Sequence, residues 1–145
     1  MQINPDYNTA AYTIRSYEIG EIVVFEPIST DKSSSPLENN QQRGNTGLLK
    51  LKNSFIITPE KLLEKWNVEN PHSLTKNHLQ TIADLKPELV ILGTGVKLHF
   101  PATEDYLFLQ QQGIGVEIMD TAAACRTYNF LIADGRNVAA GLFMI

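Results

Sequence analysis

Two apolar runs, each ending in a turn-forming group, constrain this chain more than any other feature. Residues 89–92 (Leu-Val-Ile-Leu) run into Gly93-Thr94-Gly95, and residues 115–119 run into Asp120-Thr121. The first is continuously apolar, as expected of a strand buried on both faces. Pro101 predicts the start of a helix through about Gln112, with Tyr106, Leu107 and Leu109 on its apolar side and Gly113 stopping it. A second helix follows over 120–133, ended by Gly135, and 138–145 is a last apolar strand. Strand, helix, strand, helix, strand with short connections predicts right-handed crossovers and parallel pairing.

The first half reads differently. Tyr12, Ile14 and Tyr17 on one strand and residues 22–25 on another predict a hairpin turning over 18–21 around Gly20. Residues 29–46 hold almost no apolar side chain except Leu37, so burial there cannot offset the entropy of ordering, and an exposed loop is expected. Strand signals resume at 48–51 and 54–58, with Lys52-Asn53 as a turn. Thr58-Pro59-Glu60-Lys61 is a helix-start signal, which predicts a short helix ending near Trp66. Pro71-His72 interrupts, and Leu74, His78, Ile82 and Leu85 form one helical stripe closed by Pro87.

Candidates for chemistry gather at the two turns. Gly93-Thr94-Gly95 permits close backbone approach of the kind that cradles anions, but it lacks a third glycine and the Gly-Lys-Ser/Thr ending of a phosphate loop. A conformational role for the glycines is the plainer reading. Asp120 or Thr121 can cap the helix that follows, and Ala122-Ala123-Ala124 suits close helix–sheet approach. The helix N-terminus could attract an anion, although Asp120 would oppose one. Arg126 is a candidate carboxylate or phosphate partner, with an ordinary ion pair as the alternative. Gly93, Thr94, Gly95, Asp120, Thr121 and Arg126 therefore make up the candidate ligand site.

No catalytic set emerges. Cys125 shares a helix face with Asn129, yet the three histidines, His72, His78 and His99, are distant from it in sequence. A nucleophilic thiol needs a neighbouring base, so a small core cysteine is expected instead. The histidines show no metal-ligand spacing, and neither metal nor cofactor is expected.

The single cysteine excludes an intramolecular disulfide and fits a reducing compartment. A net charge of -4, with Lys50, Lys52, Lys61 and Lys65 interleaved among other residues, argues against a nucleic-acid binder. No apolar run approaches the roughly 20 residues that span a bilayer. One cytoplasmic domain over residues 1–145 is the expectation.

Residues 87–95, Phe100-Pro101, 113–121 and the run Ala122-Ala123-Ala124-Cys125-Arg126-Thr127-Tyr128-Asn129-Phe130-Leu131 together resemble the MTH-like domain of unknown function. That family includes the mitochondrial complex I assembly factor 3. Cys125, Thr127, Tyr128 and Asn129 belong to its signature, and residues 29–52 depart from it as a longer polar connection. The resemblance implies an α/β fold: a compact three-layer domain with a central mixed sheet, an N-terminal β-hairpin and a C-terminal β-α-β-α-β unit. For the mitochondrial members it implies a non-catalytic assembly partner in complex I biogenesis, and it supplies no catalytic residues. The expected partner is another protein, with self-association open. The rival expectation is a small-molecule or anion binder, or enzyme, that uses the turns at Gly93–Gly95 and Asp120–Thr121.

Overall fold

Gly20, with φ of 76°, lets strand β1 (Thr13–Glu18) fold back on β2 (Glu21–Phe25), and β3 (Leu48–Leu51) extends them into an antiparallel sheet, β1-β2-β3. The computed structural model describes residues 1, 10–27 and 47–145; the polar loop expected at 29–46 lies outside the described residues.

After β3 the chain enters a second sheet. Lys52-Asn53 does not fold β3 back onto β4 (Phe55–Ile57) but carries the backbone from one sheet to the other. The helix expected from Thr58 to about Trp66 is replaced by a tight turn. There Thr58 N–H donates to Lys61 O (2.8 Å) and Lys61 N–H to Thr58 Oγ1 (2.9 Å), setting β5 (Leu62–Leu63) antiparallel on β4. The same Thr-Pro-Glu-Lys string serves either structure, because proline also presets the second position of a turn. Pairing of β5 with β4 selects the turn.

Helix α1 (Lys76–Ala83) begins at Thr75, whose backbone N–H donates to His78 Nδ1. It buries Leu79, Ile82 and Ala83, so the stripe is centred one position from the expected His78. Strand β6 (Leu89–Gly93), helix α2 (Thr103–Gln111), β7 (Gly115–Met119), α3 (Thr121–Ala133) and β8 (Val138–Leu142) then follow the expected alternation. On α2 the buried pair is Phe108 and Leu109, while Leu107 faces outward, contrary to the expected apolar side.

The larger sheet has the order β5-β4-β8-β6-β7 and is mixed: β6 pairs parallel with both β7 and β8, and β4 antiparallel with β8. Alternation across its pleat separates two cores. Ile56, Val90, Leu92 and Ala139 pack with Leu79, Ile82, Phe108 and Leu109 of α1 and α2. Phe55, Ile57, Ile91, Val138, Ala140 and Leu142 pack instead with Tyr128 of α3 and with Ile14, Ile22 and Val24 of the smaller sheet. The domain is a mixed α/β fold with two sheets. Its central sheet carries α1 and α2 on one face, and α3 with the antiparallel sheet on the other.

Candidate functional site

The carboxyl ends of β6, β7 and β8 meet where the two turns lie, and there the turns are stitched to each other. Thr94 N–H donates to Met119 O (2.9 Å), and Thr121 N–H to Gly95 O (2.9 Å). Thr121 Oγ1 accepts from Gly95 N–H and donates to Phe143 O, both at 2.7 Å. Thr94 Oγ1 donates to Lys97 O (2.7 Å) and accepts from His99 N–H (3.0 Å), closing the base of the loop that leads to α2. Both threonines are buried. Hydroxyls that could orient a ligand are thereby spent on backbone groups.

Asp120 acts as a helix cap: its Oδ1 accepts from Ala123 N–H at 2.9 Å. Gly93 is required by close approach. A Cβ there would lie 2.7 Å from Leu142 Cδ2 and 2.9 Å from Ala124 Cβ. Gly95 has φ of 94°, which favours glycine. Arg126 does not join this group through any hydrogen bond; its Nη1 donates to the Tyr17 hydroxyl at 2.6 Å, tying α3 to the hairpin.

The signature residues of α3 are engaged in the core. Cys125 is fully buried, and loss of solvation pushes its thiol up to about 12, against the smaller opposing pull of Arg126. Such a thiol supplies no thiolate near neutrality. Burial likewise raises Tyr128 well above the usual phenol range, and its hydroxyl donates to Tyr12 O (2.8 Å). Asn129 bonds both backbone groups of Ile14. Thr127 is half-buried on the same helix. Among the described residues, no group of three or more His, Cys, Asp or Glu side chains is placed to hold a metal ion.

What remains open is a groove of about 710 Å³ beside the Gly93–Gly95 turn. Its walls come from four separate segments: Lys52, Asn53 and Ser54 after β3, residues 65–71 after β5, Thr94 to Val96, and Phe143 and Met144 after β8. Trp66 and Phe143 contribute apolar lining, with their rings 5.2 Å apart. Thr94 and Gly95 are the expected site residues that line it; Gly93, Asp120, Thr121 and Arg126 do not. The other three walls are not legible in the sequence because nothing local links residues 52, 65 and 143 to residue 94. Trp66, the only tryptophan, was the one available signal.

A model of a protein family of unknown function (DUF498/DUF598) matches residues 40–143. The chain belongs to that family. An assembly factor 3 of the NADH dehydrogenase [ubiquinone] 1 alpha subcomplex from Xenopus tropicalis is 34% identical over 88 residues, covering 59% of this chain and 48% of that protein. The chain thus spans about half the length of this curated relative. The 13 kDa major membrane protein of Francisella tularensis subsp. holarctica is 33% identical over 86 residues, 59% of this chain and 70% of that protein. The solution structure of a Mth938-like domain from Bordetella pertussis superimposes with a TM-score of 0.71 at 28% identity, over 99% of this chain and 92% of that one. The expected family and its α/β fold are both met. No helix among the described residues is long and apolar enough to cross a membrane.

Proposed function

We propose that this family member is a non-catalytic protein-binding domain that works in the assembly of a membrane complex, and that the groove beside Gly95 receives the client. One observation carries the reading: the groove has apolar lining beneath an exposed polar rim, while the chemistry-bearing side chains of the turns are used for packing. An apolar floor of Trp66, Val68 and Phe143 inside a rim of Lys52, Asn53, Lys65, Asn67, Glu69 and Asn70 is what a docking site needs, whereas catalysis needs a base or nucleophile poised by a partner. The relatives named as complex I assembly factors support the assembly role.

The test is site-specific photocrosslinking from Asn67, an exposed residue of the groove rim. A benzophenone side chain at this position, expressed in the native host, is expected to capture one defined subunit of a multi-subunit complex. The capture is expected to be lost when Asn53 across the groove becomes Arg. Crosslinks that persist unchanged in Asn53→Arg, or no crosslink above that of a probe on the far side of the molecule, overturn the reading.

A further inference from the structure

The edge of a sheet exposes backbone groups that a further strand would pair, and folded proteins guard such edges. Among the described residues the edge strands are β1, β3, β5 and β7. Three of them are guarded. On β1, Tyr12 O accepts from Tyr128, Asn129 bonds both backbone groups of Ile14, and Tyr17 exchanges hydrogen bonds with Met1. Strand β5 is only two residues long, and β3 carries exposed Lys50, a side chain that discourages strand addition.

Strand β7 has no such device. It holds neither Lys nor Pro, and it pairs with β6 without a bulge. The register fixes which of its groups are open. Gly115 N–H donates to Glu88 O and Met119 O accepts from Thr94 N–H, so residues 115, 117 and 119 turn their backbones toward β6. The N–H and C=O of Val116 and Ile118 therefore point away from the sheet, at strand spacing. Among the described residues these groups have no hydrogen-bond partner. Alternating donors and acceptors at that spacing are matched by an extended backbone, whereas a helix or a bilayer presents neither.

Charge selects whose backbone it is. From residue 98 to residue 125 the chain carries Glu104, Asp105, Glu117 and Asp120 and no Lys or Arg. Glu117 is exposed at the centre of β7, and α2, which packs on this strand, opens with Glu104 and Asp105. Arg126 of α3 is turned to Tyr17 instead. We infer that β7 is a docking strand, which takes an extended, basic segment of another protein antiparallel to itself as a further strand of the larger sheet. Antiparallel pairing is the more stable per residue, and it sets the partner's basic side chain directly opposite Glu117. The partner residues on either side then lie against Val116 and Ile118, which pack partly buried on the core beneath α2, so apolar side chains fit there.

Register also disfavours a second copy. The two-fold pair that uses every open group sets Glu117 against its own counterpart, and like charges directly opposite repel. Sliding the pair one way sets Ile118 against Ile114, whose N–H is already given to Leu109 O. Sliding it the other way sets Val116 against Asp120, whose C=O already accepts from Ala124 N–H. The groove draws no residue from β7, so this inference does not require the groove to be occupied.

The experiment is an NMR titration of the isotope-labelled full chain with the blocked peptide Arg-Thr-Val-Lys-Val-Thr-Arg. Saturable shifts are expected at the amides of Gly115, Val116, Glu117 and Ile118, with slowed hydrogen exchange at Val116 and Ile118. Exchanging the central Lys for Glu is expected to weaken binding roughly fivefold. N-methylation of both valines keeps the charge but removes the donors to Val116 O and Ile118 O, and is expected to abolish the shifts. Glu117→Lys is expected to keep the parent's unfolding midpoint, since the side chain is exposed, and to prefer the Glu-centred peptide. No shift on β7, equal binding by the N-methylated peptide, or a preference that Glu117→Lys leaves unchanged overturns the proposal. A parent dimer that protects Val116 and Ile118 from exchange puts a second copy on this edge and overturns it equally. Crosslinking from Asn67 reads the groove independently of all these outcomes.

Discussion

Asn129 on α3 treats Ile14 on β1 as a neighbouring strand would: its Oδ1 accepts from Ile14 N–H at 2.9 Å, and its Nδ2 donates to Ile14 O at 2.7 Å. Strand β1 lies at the edge of the smaller sheet, where outward backbone groups otherwise lack partners. A single side-chain amide thus satisfies an edge residue and fastens the hairpin to the helix. Tyr128, one residue earlier, does the same for Tyr12 O.

Asn129→Ala is accordingly expected to lose about 2–4 kcal/mol, since both backbone groups of Ile14 become unpaired in a buried site. Asn129→Asp keeps the acceptor but sets a carboxylate against Ile14 O, so it is expected to cost at least as much near neutral pH. Urea unfolding followed by Trp66 fluorescence measures both. A loss below about 1 kcal/mol for either would refute the pairing as a stabilising contact.

Gly93 tests the contact between sheet and helix. A methyl group there meets Leu142, Ala124 and Thr121 Oγ1 within 3.0 Å, and Ala124 is fixed by its helix. Gly93→Ala is expected to destabilise by about 1–3 kcal/mol, the usual cost of overpacking. Gly113→Ala provides a contrast. Among the described residues nothing lies within 4 Å of that position, and its φ of 78° is what opposes the substitution, so the smaller loss is expected there.

Alkaline pH acts through Cys125 and Tyr128. Both have folded pKa values above their ordinary ones because burial disfavours the charged form. Below the unfolded values their contribution to stability is fully present. As pH rises past the ordinary thiol value of 9.0 toward about 12, the unfolded chain ionises first and stability falls. Unfolding midpoints are expected to drop across this window, and Cys125→Ala is expected to flatten part of the slope despite its own packing cost. At pH 8 a maleimide is expected to label the native chain only after denaturant is added; rapid native labelling would contradict the buried thiol.

The parallel half was legible in the sequence because its signals are local. Residues 89–92 are continuously apolar, Asp120 precedes a helix with small residues in its first turn, and Gly135 closes it; each marks a boundary the structure keeps within a few residues. The α/β class follows from that alternation and the resemblance adds the three-layer arrangement, but the pairing of β3 with the hairpin, and not with β4, followed from neither. Residues 58–66 were misread because Thr58 and Pro59 open a turn as readily as a helix, and only the long-range pairing of Leu62 and Leu63 with β4 decides between them. At the site, Thr94 and Gly95 were legible as a turn, whereas Lys52 and Asn67 reach it only through the sheet order.

Thr94 connects the fold to the edge of the groove, so its removal is the most informative single change. Its hydroxyl ties residues 97 and 99 to the end of β6 and also reaches Met119 O at 3.3 Å, while its backbone N–H donates to the same oxygen at 2.9 Å. Thr94→Val keeps shape and backbone pairing but removes the clamp. Global stability is expected to fall by about 1–3 kcal/mol, the cost of leaving buried polar groups unpaired. The local effect is expected to be larger: trypsin should cut after Lys97 many times faster than in the parent, because the loop opens without global unfolding. The crosslink from Asn67 should persist, since the wall formed by residues 65–71 does not depend on the clamp. Its loss would mean that Thr94 supports the whole carboxyl edge and not the loop alone. Unchanged proteolysis at Lys97 would show that the hydroxyl does not hold the loop.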